Sequence, residues 1–487
     1  MNGKLLIAEI NTWVWINELR IKTGKPISLD TVPPEEWDKL AGVGFNTVWL
    51  MGVWKRSPRG KKISQENTDL FEEYKKSLPD WKKEDLPGSP YCVKEYTVDE
   101  NLGGNPALLA AREALARRGM KLILDFVPNH VALDHRWIEK NPEFLVRGDD
   151  LDFIRNPHDY FKTKNGIFAN GRDPFFPPWQ DVAQLNSFSQ EYRQAALDTV
   201  ELISQLCDSV RCDMAMLMLN RVFSYTWQNR VGIAPATEFW TDIIPVVKKK
   251  NPDLIFIAEA YWGLEWDLQQ LGFDYCYDKR LYDRMTEETA ETIRQHLAAD
   301  ASFQSHLVRF IENHDEERAA ERLPGLKSRA AATLVSTLPG AAMFYEGQWE
   351  GRRCRNHVLL GRRQYEEINR EQIAFYKTLL NTVQKIPTNA RWNLCEVTGW
   401  NDNLTCTNLI AYTWTTKSRI ILIVINYSKS PAQGRVHLQW NGFIKPMIEF
   451  HDLMTKEKIR RDVAEIREEG LFVDLPAWGY HYFSSSG

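Results

Sequence analysis

NPALLAAREALARRGMKLILDFVPNH, residues 105–130, holds one complete unit of the pattern that organises this chain. Asn105 and Pro106 predict a helix start, and Gly119 predicts its stop. A strand, KLILDFVPNH, follows at once. The same order recurs where SQEYRQAALDTVELISQL (189–206) runs into SVRCDMAM (209–216), and where EFWTDIIPVVKKKNPD (238–253) runs into LIFIAEAYW (254–262). FNTVWLMGV (45–53), LVRFIENHD (307–315) and AAMFYEG (341–347) extend the series. Repeated alternation of helix and strand builds a parallel sheet covered by helices. A closed barrel and an open doubly wound sheet both satisfy it. No GxGxxG phosphate fingerprint follows a strand, and that favours the TIM (β/α)8 barrel.

Two segments break the rhythm. Residues 131–188 are rich in Pro, Asn, Asp, Gly and aromatics, as in NGIFANGRDPFFPPWQDVAQLN (165–186). They are too long for a simple loop, which predicts a small insertion domain after the third strand. After IPTN (386–389) the pattern turns to strand-like alternation, as in RIILIVINYS and GRVHLQW. The expected domains are therefore a barrel over 1–130 and 189–388, an insertion over 131–188 and a C-terminal antiparallel β-sandwich over 389–487.

The bulk composition excludes several classes of function. A hydrophobic content of 43%, a charged content of 26% and a net charge of −4 describe an ordinary globular protein, with no basic excess to attract nucleic acid or an anionic membrane. MNGKLLIAEINTWVW meets Glu9 before a signal-length apolar core accumulates, so no secretory signal is expected. The seven cysteines are scattered and form no CxxC pair, which reads as reduced thiols in a cytoplasmic protein without structural zinc. Eighteen tryptophans are the compositional oddity. Aromatic faces pack on sugar rings, so the excess points toward a carbohydrate ligand.

Four apolar runs end in polar residues: LILDFVPNH, VRCDMA, IFIAEAYW and VRFIENHD. In a parallel barrel the C-terminal strand ends converge on one face, where barrel active sites sit. That would gather Asp125, Asn129, His130, Arg211, Asp213, Glu259, Asn313, His314 and Asp315. Several carboxylates around one arginine cannot all keep ordinary pKa values, and repulsion should leave one protonated. One carboxylic acid beside one carboxylate is the equipment of glycoside hydrolysis.

The four segments resemble the four signature regions of the α-amylase family, glycoside hydrolase family 13, in the same order. SPYCVKEYTVD (89–99) and DVAQLN (181–186) add to the likeness. The resemblance implies Asp213 as nucleophile, Glu259 as general acid/base and Asp315 as the third acid that grips sugar hydroxyls. It further implies Arg211 orienting Asp213, with Tyr91, His130, Asn313 and His314 binding the sugar and Asp125 and Asn129 supporting the site. The implied reaction is double displacement with retention on α-linked glucans, α-1,4 bonds first among them, with carboxyls about 5 to 5.5 Å apart. Glu259 should then carry a raised pKa and Asp213 a low one.

The pattern departs from many α-amylases after the nucleophile, where Met216 and Leu217 replace a lysine and a histidine. Apolar residues there occur in α-glucosidases and trehalose synthase-like isomerases, so transfer to another sugar, isomerisation or phosphorolysis stands as the alternative to hydrolysis. A non-catalytic binding protein fits less well, because all three acids are present. No cofactor is expected. For a structural calcium only Asn129 matches a ligand position, so no metal is assigned, and the Asn-rich insertion stands as the other source of ligands. The arginines of 352–363 offer either a phosphate site or partners for surface carboxylates. The expected partner is a carbohydrate substrate, with neither nucleic acid nor membrane.

Overall fold

Eight parallel strands pair in the order of the chain and close on themselves: β1 (Leu6–Asn11), β2 (Thr47–Met51), β3 (Lys121–Phe126), β4 (Ser209–Cys212), β5 (Ile255–Ala258), β6 (Tyr275–Tyr277), β7 (Leu307–Arg309) and β8 (Ala341–Tyr345). The computed structural model describes residues 3–440, 442 and 445–486. The outermost residues of the expected first and last ranges, and 441, 443 and 444, lie outside them. Three helices matter below: α1 (Pro58–Glu66), α2 (Phe71–Ser77) and α3 (Gly104–Ala116).

The barrel follows from the two-residue period of its strands. Leu6, Ala8 and Ile10 of β1 join the layer between strands and helices, as do Leu122 and Leu124 of β3 and Val210 and Cys212 of β4. Ile7, Trp49, Ile123, Ile257, Val308 and Met343 fill the barrel interior. Successive side chains point to opposite faces of a strand. Glu9, Asp125, Arg211, Asp213 and Glu259 all share the inward parity.

β1 and β6 were not among the strand-like runs, because LIAEIN runs straight into a helix at Thr12 with no turn between them and YCY is three residues long. The expected strand KLILDFVPNH also divides. It leaves the barrel after Phe126, and His130–Ala132 opens a separate four-stranded antiparallel sheet with Trp179–Gln184, Gly166–Gly171 and Tyr160–Thr163. Asn105 does not cap α3. The helix starts two residues earlier than that cap implies, after Gly103 at φ 96°, and Asn105 Oδ1 accepts Val98 N–H at 2.9 Å. A β-carbon at Gly103 would stand 2.5 Å from Ala107 Cβ, so the close approach demands glycine.

Beyond the barrel, a six-stranded and a three-stranded antiparallel sheet occupy the C-terminal region. Leu409, Leu422 and Val424 of the larger sheet share one apolar core with Val436, Leu471 and Val473 of the smaller. The seven cysteines are free thiols. Among the described residues no helix is long and apolar enough to cross a membrane.

Candidate active site

Strand register places the charges of β4 beside those of its neighbours. Arg211 lies opposite Asp125 on one side and Ile257, two residues before Glu259, on the other. Its Nη1 donates to Asp213 Oδ1 at 2.7 Å and reaches Asp125 Oδ1 at 3.5 Å. Its Nη2 stands 2.8 Å from Glu259 Oε2, a charge contact without hydrogen-bond alignment. One guanidinium, 1% exposed, thus bridges three buried carboxyls. Trp49 Nε1 and Gly52 N hold the other oxygen of Asp125 at 3.1 and 3.3 Å.

The chain turns sharply after the nucleophile candidate. Met214 has φ 42° and ψ 46°, a left-handed conformation that costs a non-glycine residue about 1–2 kcal/mol. The turn aims Met214 N–H at Glu259 Oε2, 2.6 Å away, while Tyr261 Oη donates to Glu259 Oε1 at 2.9 Å. Strain of this kind collects at functional sites.

Burial, more than repulsion, sets the acidities. It raises Glu259 to about 7, with Arg211 opposing and Asp213 and Asp315 assisting. Asp213 was expected to be low. Burial outweighs Arg211 there too, and Asp213 is raised above the ordinary carboxylate value. The guanidinium is shared among three acids, so no single one receives its full effect. Asp125 is raised for the same reason.

His314 links the floor to the mouth. Its Nδ1 meets Glu9 Oε1 at 2.5 Å, and its Nε2 lies 2.8 Å from Tyr91 Oη and 3.1 Å from Asp315 Oδ2. Burial lowers the imidazole pKa, but Asp315 and Glu9 override it and raise it to about 9. The stabilisation this brings is complete below the unfolded value near 6.5 and is lost as pH rises through about 9. Glu9→Gln should therefore move the His314 titration downward, as followed by the NMR shift of its ring proton. A titration that stays in place would show that Glu9 is not the partner that sustains the charge.

Tyr91, His130, Asp213, Glu259, His314 and Asp315 line one cavity of about 470 Å³. Asp315 is the exposed acid among them, with 44% of its side chain accessible. Burial keeps His130 neutral, with a pKa of about 4, and Trp179 packs on its ring at 5.1 Å. Arg211, Asp125, Asn129 and Asn313 lie beneath the surface. Asn313 Oδ1 accepts Asp315 N–H and Glu316 N–H, each at 2.9 Å, which fixes the turn carrying Asp315. Glu9, Tyr261 and Trp179 were not singled out from the sequence. Parity would have found Glu9 once LIAEIN was recognised as a strand.

The arginine-rich loop resolves into ion pairs. Arg352 meets Glu350 and Glu18, Arg353 meets Glu321, and Arg355 meets Glu317. Arg362 meets Asp80 and Asp85, and Arg363 meets Glu18 and Glu346. Each arginine of 352–363 is paired with a carboxylate, so the phosphate reading loses its donors.

The surroundings of Asn129 do not fit calcium. Asn129 Oδ1 accepts Gln184 Nε2 at 2.8 Å, and the same amide nitrogen donates to Asn129 O and Leu185 O. Gln184 is fully buried, and its Oε1 accepts from Asn129 and from Arg172 N. A nitrogen donor thus stands among the oxygens a cation needs. Among the described residues no group of three or more His, Cys, Asp or Glu could hold a metal ion. A chelator is expected to leave the thermal midpoint unchanged, whereas Gln184→Ala, which leaves buried partners unsatisfied, should cost about 1–3 kcal/mol in urea unfolding. A chelator-induced drop in the midpoint would contradict this assignment.

The fold and its mouth define the class, a closed (β/α)8 barrel with acids at the C-terminal strand ends and an antiparallel C-terminal domain. Within that class the chain belongs to the alpha-amylase family, whose profile, "Alpha amylase, catalytic domain", matches residues 35–388. Alpha-amylase MalA of Haloarcula japonica is 24% identical over 405 residues, covering 81% of this chain and 52% of MalA. Alpha-1,4-glucan:maltose-1-phosphate maltosyltransferase 2 of Streptomyces coelicolor is 22% identical over 326 residues, covering 63% of this chain and 41% of that protein. The chain spans about half the length, or less, of these curated relatives. The crystal structure of alpha-amylase from Geobacillus thermoleovorans with acarbose superposes with a TM-score of 0.70 at 16% identity, covering 99% and 98% of the two chains.

Proposed function

We propose that this protein is a retaining glycoside hydrolase of α-linked glucans and oligosaccharides, with α-1,4 bonds as its principal target. The observation that carries the reading is the arrangement around Arg211, which touches Asp213 and Glu259 with two different nitrogens. Asp213 attacks the anomeric carbon. Glu259 gives its proton to the departing glycosidic oxygen, and a covalent glycosyl-enzyme forms. Water then attacks the anomeric carbon while the Glu259 carboxylate takes one of its protons, the bond to Asp213 breaks, and the sugar leaves with its α configuration. Asp315 and the imidazolium of His314 hold hydroxyls of the reacting sugar, and Tyr91 lies beside it. Asn313, Asp125 and Asn129 keep this machinery in place from below.

The pKa of Glu259, about 7, fixes the sign of the pH dependence. Its protonated form starts the reaction, so kcat/KM falls as pH rises above about 7. Because Asp213 is also raised, the acid limb should lie above the ordinary carboxylate range. A profile that keeps rising to pH 9 would remove Glu259 from the acid role.

Transfer to a second sugar uses the same intermediate, and the relative named as a maltosyltransferase keeps that reading open. The deciding experiment follows maltooligosaccharides by proton NMR, with and without inorganic phosphate. Hydrolysis predicts shorter α products in both. Longer oligosaccharides, a sugar phosphate or β products would each replace the proposal with a different one.

A further inference from the structure

One side of the cavity is a wall that the eight strands do not supply. Residues 57–92, between the two short paired strands Trp54–Arg56 and Val93–Val98 that follow β2, form an insert containing α1 and α2. Ile63, Ser64, Asn67 and Leu70 of this insert line the cavity, together with His357 and Leu359 of the loop after β8. Tyr74, Leu78, Leu86 and Leu360 join the two segments in a small buried core, flanked by Phe71 and Trp81. His357 meets Tyr74 edge-on at 4.9 Å, Gly361 N donates to Asp85 O at 2.7 Å, and Arg362 forks onto Asp85 with both contacts at 2.9 Å. An apolar core plus a bidentate pair makes the wall a fixed element, not a loose flap.

Its position relative to the acid is set by strand order. β2 and β8 flank β1, which lies across the closed barrel from β5, the strand that carries Glu259. The glycosidic oxygen receives its proton from Glu259, so the leaving portion of the chain departs on that side. The wall therefore stands where the sugar chain would continue toward its non-reducing end. On the β5 side the surface is open and aromatic. Trp262 and Phe175 are 40% and 61% exposed, with rings 4.9 Å apart. Trp262 also holds a strained φ of 63°.

We propose that the cleft is a dead-end pocket acting from the non-reducing end, releasing glucose or maltose, while the rest of the glucan leaves across Trp262 and Phe175. This rests on the hydrolase reading above and deepens it. The volume of about 470 Å³ suits a ligand of disaccharide size. Leu70 and Leu359 are the specificity-determining side chains, since they face the sugar that would extend past the wall.

The test uses the whole protein and two 4-nitrophenyl maltoheptaosides, one with a free and one with a 4,6-ethylidene-capped non-reducing end, followed by chromatography. The free substrate should lose glucose or maltose from the first turnovers, and the capped one should react at about 1% of that rate or less, a ratio worth about two factors of ten in transition-state binding. Leu359→Ala, which shortens a cavity-lining side chain at the edge of that core and leaves Tyr74, Leu78, Leu86 and Leu360 in place, should raise the capped-to-free ratio about tenfold. Comparable rates on the two substrates with a spread of internal products would overturn the dead end while leaving the hydrolase standing. Inactivity on both would overturn the hydrolase reading and this one with it.

Discussion

Glu259→Gln is expected to lower kcat on maltooligosaccharides by about 10³-fold, the scale of a positioned general acid, while the protein still unfolds cooperatively. The amide cannot deliver a proton to the glycosidic oxygen, yet its oxygen can still accept Met214 N–H, which now bonds Glu259 Oε2. Substrates whose leaving group departs without protonation, such as glycosyl fluorides, should lose far less in the first step. That contrast separates a lost acid from a damaged fold. Asp213→Asn should fail with both substrate types, because no nucleophile remains. A Glu259→Gln protein with half the parent rate on maltooligosaccharides would sink the assignment.

Arg211→Met is the second large effect, and it is one of stability. The guanidinium is the shared counter-charge of Asp125, Asp213 and Glu259, and all three are buried. Breaking a buried ion pair by deleting one partner costs about 3–5 kcal/mol, because the remaining charge has neither water nor partner. The sign of its pH dependence follows from the carboxyls. Burial already raises their pKa values, and without the arginine they rise further. As pH falls toward 5 they take up protons and become neutral, so the deficit should shrink. Urea unfolding at pH 8 and pH 5 measures it. A loss under about 1 kcal/mol, or one independent of pH, would mean that Arg211 is not the counter-charge described.

The strand-end pattern made much of this site legible. In VRCDMAM the alternation alone sends Val210 and Cys212 outward and Arg211 and Asp213 inward, and the barrel places them so. The same parity brings in Asp125 and Glu259. It does not reach His314 and Asp315 directly, since β7 ends at Arg309 and an irregular segment carries them to the mouth. There the identity of the residues pointed to the site, and a turn held by Asn313 accounts for their placement. Glu9 stayed hidden because its six-residue strand runs directly into a helix at Thr12, with no turn residues between to mark where it ends.

By itself the sequence determined the alternation of helix and strand, the inward face of its strands and the set of acids, because these depend on local periodicity and residue type. Tertiary structure alone decided three other things. Asp213 is raised because burial and three-way sharing of Arg211 act together, and neither can be read from spacing. The arginines of 352–363 are spent on carboxylates such as Glu18 and Asp80, more than 250 residues away in the chain. The wall across the barrel mouth exists because Tyr74 and Leu360, from loops at opposite ends of the barrel sequence, meet in one core. Charge pairing and cavity shape are set by distances in space, and those distances arise only when the sheet closes.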